Sequence, residues 1–176
     1  MTEIFVLGSA VGFNPFITTT IVLMGVASNR GLFGPDSFGT PDPAVILVAA
    51  VMVGVDILLD KWHRTTKAWG IVSVAVRGVA AVVLGLECAT RTGLPEGVAA
   101  TSVFGLAIVV WAARAYAVKV TKAKLAGLER VAIGGYADFS ASIISFVSLV
   151  SISAAALLGA VALAVGTVLI RGWAKE

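Results

Sequence analysis

Residues 4–29 carry no charged side chain. About 20 apolar residues suffice to cross a bilayer, so this stretch reads as a first membrane span. It is interrupted at residues 12–16, GFNPF. Proline lacks a backbone donor and restricts the residue before it, which suits Asn14 to a cap and Pro15 to a first helical position. The reading is therefore a short half-helix over residues 4–11 and a longer one from Pro15 to about Ser28. A cleaved signal peptide is the rival, but the basic n-region such a signal needs is missing. Residues 29–43, rich in glycine and proline, form a loop.

A second span covers residues 44–59 with Asp56 inside it, followed by a charged turn over residues 60–67. The third runs over residues 68–89, containing Arg77 and ending near Glu87. Gly93, Pro95 and Gly97 break the chain before a fourth span over residues 98–113, which continues as a basic helix. Residues 139–170 are again uncharged. One straight helix of that length would measure about 48 Å against a core of about 30 Å. Two crossings with a bend near residues 151–154 fit better, giving six passes, with five as the alternative.

The distribution of basic residues tests that count. Lys61, Arg64 and Lys67, then Arg114, Lys119, Lys122, Lys124 and Arg130, then Arg171 and Lys175 all share one side when there are six passes. Those are ten of the 13 basic residues. Cytoplasmic loops carry the excess of Lys and Arg, so the pattern places both termini in the cytoplasm of a multi-pass cell-membrane protein. Composition agrees: 59% of the 176 residues are hydrophobic, 13% are charged, and the mean hydropathy is +1.00. A soluble domain carries about a quarter charged residues. The expectation is a single all-α domain over residues 1–176, a polytopic helical bundle with its first span broken at Asn14-Pro15. Its net charge of +3 reads as topology and anionic-lipid contact, with no nucleic acid implied.

A few charges stand where lipid opposes them, at about 2.5–3.5 kcal/mol each near a helix centre on the insertion scale. Asp56 lies about one turn inside the membrane and leans deeper, because helical side chains tilt towards their own N-terminus. Arg77 leans back towards the same depth from the third span. The two form a candidate ion pair, read either as a clasp between spans or as a gate or ion relay. Asp60 follows Asp56 on one helical face, with Lys61 beside it, and is read as a pathway mouth or as solvated. Glu87 is read as a pathway residue or as a headgroup contact. Asn14 at the break would offer an amide, beside a helix start, to a solute or water. Gly8 and Gly12 make a GxxxG packing face. Ser142, Ser145 and Ser148 recur every three residues behind Asp138 and suit helix packing.

His63 is the one histidine and Cys88 the one cysteine, which implies no metal site and no disulfide. No GxSxG, HExxH, P-loop or Rossmann string occurs, so neither a cofactor nor an enzyme is expected. What remains is a small-solute or ion transporter or channel-like protein. The alternative is a non-catalytic membrane subunit or scaffold that joins a partner complex. A homo-oligomer or a membrane partner protein suits either.

The segment GFNPFITTTIVLMGVAS, the string DILLDKW over residues 56–62, and VRG with Arg77 together resemble an uncharacterised bacterial integral-membrane family, domain of unknown function 4126. Gly78 stands where that family has proline, and apolar residues with Ser148 stand where it has an acidic pair. The resemblance implies a membrane location and the same helical bundle, with no assigned activity.

Overall fold

A computed structural model describes residues 1–28, 41–61, 66–121 and 128–175, apart from a few side chains near helix ends. The described residues form seven helices: α1 (Thr2–Phe13), α2 (Pro15–Ala27), α3 (Pro43–Lys61), α4 (Thr66–Thr92), α5 (Glu96–Thr121), α6 (Glu129–Ser148) and α7 (Ile152–Lys175). Four of them contain stretches long and apolar enough to cross a membrane, namely Ile71–Ala89, Glu96–Thr121, Val131–Ser148 and Ile152–Gly172. Their outer faces expose large apolar side chains, such as Ile71 and Leu157 at 73% and 67%. Water would penalise so much exposed hydrocarbon, and lipid does not. The protein is an all-α membrane protein.

The helix ends follow local chemistry. Pro15 forces Asn14 out of the helical region, and Asn14 sits at φ −151°, ψ 110°. Its side-chain oxygen accepts from the backbone N–H groups of Phe16 and Ile17 at 2.9 and 3.1 Å, so one residue ends α1 and caps α2. Gly93 closes α4 at φ +67°, a conformation glycine adopts without penalty. The long uncharged stretch is split as expected: α6 ends at Ser148, and the Ser151 hydroxyl accepts from the N–H of Ala154 to open α7.

The first segment departs from the expectation of one interrupted span. The Val11 carbonyl meets Arg77 of α4, and Phe16 stacks on Trp69. Further along α2, Thr19, Val22 and Leu23 face residues 75–84 of α4 across a cleft. On α6, Asn14 meets Asp138 while Thr18 meets Ser145. Ser9 of α1 and Ile144 of α6 converge on Gly159. Leaving Asn14 along either helix therefore means moving the same way along α6, so the chain reverses at Asn14. The sequence could not reveal this, because a helix break leaves its angle unstated.

The result is a helical hairpin inserted among longer rods. The α1 arm is buried on nearly every face, as a helix that is apolar all round should be. It packs on α4, α5, α6 and α7. Twelve residues make it about 18 Å long, short of a membrane core of about 30 Å. The GxxxG face is used inside the chain. A Cβ at Gly8 would lie 2.9 Å from the Cβ of Leu106, and one at Gly12 would lie 2.5 Å from the Cβ of Val110 and 2.9 Å from the Ala107 carbonyl.

That crowding yields a prediction. Gly12→Val drives a side chain into backbone that cannot rotate away, so it should cost about 3 kcal/mol, the upper end for overpacking. Gly105→Ala, on the same α5 but with open space at its Cβ, should instead stabilise by about 0.5–1 kcal/mol. Thermal unfolding of the detergent-solubilised variants checks both signs at once.

Candidate functional site

The hairpin tip brings two helix ends of opposite polarity into one buried place. Helix α1 ends there with free carbonyls at the negative end of its dipole, and α2 begins there with free N–H groups at its positive end. The surrounding charges sort accordingly. Arg77, 1% exposed, donates from Nε to the Val11 carbonyl at 3.2 Å. Its Nη1 also reaches the Ser73 carbonyl and hydroxyl, each at 3.3 Å. Arg114 donates from Nη1 to the Phe13 carbonyl at 3.3 Å. Two guanidinium groups thus serve the last carbonyls of α1.

The acidic groups occupy the other side. Asn14, 0% exposed, donates from Nδ2 to Oδ2 of Asp56 and to Oδ1 of Asp138, each at 2.8 Å. Its amide orientation is forced: Phe16 and Ile17 present backbone donors, so Oδ1 must face them and the NH2 group must face the carboxylates. One amide nitrogen therefore holds two carboxylates from α3 and α6 within two hydrogen-bond lengths of each other. Trp69 of α4 donates from Nε1 to the second oxygen of Asp56 at 3.0 Å. The same indole stacks on Phe16, with ring centres 5.8 Å apart and 12° between planes. The Thr18 hydroxyl returns a bond to the Asn14 carbonyl at 2.8 Å.

Of the residues singled out from sequence, Asn14, Asp56 and Arg77 are gathered at this tip. The hydrogen bonds above tie Asp56 and Arg77 each to the tip, one to its amide side and one to its carbonyl side. Ser145 and Ser148 are buried on α6, and Ser145 donates to the Thr18 hydroxyl of α2, which makes the serine face the seat of the hairpin's second arm. Ser142 bonds back to the carbonyl of Asp138. Glu87 is also buried, but on the far part of α4, ten residues beyond Arg77 and outside this cluster. Asp60 and Lys61 form the end of α3, and their side chains lie outside the described residues.

Sequence reasoning missed Asp138 and Arg114. The sequence reading starts the fifth span at Phe139 and so leaves Asp138 just outside it. The apolar stretch begins at Val131, which makes Asp138 its one charged residue. That is the signal that flagged Asp56. The sequence reading groups Arg114 with the basic connector, whereas it is half-buried on α5 and reaches the last carbonyl of α1.

No family model matches the chain, and no curated protein or solved structure does either.

Proposed function

We propose that the protein is a membrane transporter or channel-like protein for a small solute or ion, with a cation or proton handled at the α1–α2 tip. The observation that carries this reading is the single Asn14 amide shared by two carboxylates at a helix reversal, Asp56 buried and Asp138 half-buried. Non-helical backbone at membrane depth is tolerated where it is held by protein or lines a cavity, and discontinuous helices with nearby charge recur at transport sites. Buried intramembrane acids are also costly to keep unless they are used. The reading as a partner subunit loses the support of its glycine face, which is spent on α5.

The same reading sets the topology. Helices α3 to α7 make five crossings, and α1–α2 re-enters from the side where Met1 lies. The ends that lead into the basic stretches 60–67, 114–130 and 171–175 then lie together, and the excess of Lys and Arg assigns them to the cytoplasm. The reversal at Asn14 moves Met1 to the opposite side, whereas a kinked span would leave both termini cytoplasmic. A cysteine at Thr2 should label with an impermeant thiol reagent in intact cells, and one at Arg171 should not. Wild type is a silent background because Cys88 is buried. Labelling at 171 without labelling at 2 would overturn the orientation.

Transport is tested in proteoliposomes loaded with a pH-sensitive dye and exposed in turn to proton, sodium and potassium gradients. Asp56→Asn and Asp138→Asn should each lower flux at least tenfold, while the proteins still elute as folded particles. Folded wild type that moves none of these ions and no small-solute panel would refute the proposal.

A further inference from the structure

Away from the tip, a cavity of about 260 Å³ opens between α5, α6 and α7. Phe13 and the stem of Arg114 close its deep end, and Ala117, Ala132 and Ile170 lie towards the end where α5 stops. The space exists because small residues face it, Ala113 and Ala137 opposite Ala162 and Gly166. A buried water needs two to four polar partners, and these carbon walls do not provide them. An engineered apolar cavity of about 150 Å³ already accepts benzene, so hydrocarbon is the fitting occupant here. In a bilayer the hydrocarbon at hand is an acyl chain.

Charge decides which lipid. Arg171 stands one turn beyond Thr167, which lines the cavity, and it is exposed. Lys119 is exposed at the same end of the bundle. Basic groups at the headgroup level beside a hydrocarbon slot favour anionic phospholipid. We propose that one acyl chain of an anionic phospholipid occupies this cavity, with its phosphate held by Arg171. The inference needs the membrane location and stands apart from transport.

Native mass spectrometry of the protein in mild detergent, followed by melting with added phosphatidylglycerol or phosphatidylcholine, tests it. Wild type should retain one phospholipid, and phosphatidylglycerol should raise the melting temperature more than phosphatidylcholine. Gly166→Leu fills the cavity: a Cβ there meets only Tyr136, at ordinary contact distances of 3.6 and 3.8 Å. It should lose the bound lipid at least tenfold and still melt cooperatively. Arg171→Gln should keep a lipid and lose the preference for phosphatidylglycerol. Should Gly166→Leu not fold, Ala113→Phe fills the cavity from the facing wall and is read the same way. A filled variant that carries as much lipid as wild type, or a wild type that answers both lipids equally, overturns the proposal.

Discussion

Asn14→Ala should be among the most damaging single substitutions in this chain, lowering stability by about 3–6 kcal/mol. Losing an N-cap costs about 0.5–2 kcal/mol. Removing a donor from a buried polar partner costs about 1–3 kcal/mol, and more when the partner is charged. Asn14 serves two charged partners, Asp56 fully buried and Asp138 half-buried. Their mutual repulsion then loses the amide between them. Asn14→Ser separates these contributions, since a serine hydroxyl still caps α2 yet cannot reach both carboxylates. It should therefore fall between wild type and Asn14→Ala. Asn14→Asp keeps the cap and adds a third acid, so it should be as harmful as alanine. Thermal unfolding followed by tryptophan fluorescence reads all three, because Trp69 packs on the tip. An alanine variant within about 0.5 kcal/mol of wild type would mean that the tip is not the keystone the geometry describes.

How much of this was legible beforehand depends on which interactions lie along the chain and which lie across it. The break at Asn14-Pro15 was legible, because proline acts on its immediate neighbour. So was the α6–α7 division, which follows from length against membrane thickness. The reversal was not, because the direction of α2 is decided by Thr18 meeting Ser145 and by Phe16 meeting Trp69, contacts far apart in sequence. Asp56 and Arg77 were found by the cost of a charge in lipid. Their location at one tip could be reached by comparing depths, but Asn14 as the group that binds Asp56 could not. Arg114 was hidden by its neighbours: at the head of a basic helix it looks solvated, and only the fold shows that α1 ends within its reach.

The four charges also explain one another. A buried reversal leaves carbonyls on one side and N–H groups on the other, each needing a partner of opposite sign. Arginine suits the carbonyl side, since its guanidinium is always charged and presents several donors in a rigid fork. Asparagine suits the turn itself, because it accepts at one end and donates at the other. With those in place, two acids can be held close at modest cost. The proposed cation or proton site would then need no residues beyond those that close the hairpin.

Arg77→Leu should approach the loss seen for Asn14→Ala, at about 3–5 kcal/mol, the range for breaking a buried charged contact. It strips the Val11 carbonyl of its donor and leaves the acids of the tip with less positive charge nearby. Arg77→Lys should recover part of that loss. An ammonium keeps the charge, but it cannot bond Val11 and Ser73 together as the guanidinium does. The more telling measurement is a double-mutant cycle with Asp56→Asn. Both side chains hold the same tip, one through Asn14 and one through the last turn of α1, so their effects should couple by about 1–2 kcal/mol. The swap Asp56→Arg with Arg77→Asp should recover little, because each site is shaped for its own partner: indole and amide donors at Asp56, a carbonyl at Arg77. Strong recovery by the swap would mean that charge alone holds the pair, and that the hydrogen bonds at the tip are secondary. Coupling below about 0.5 kcal/mol would mean that the two halves of the tip act independently.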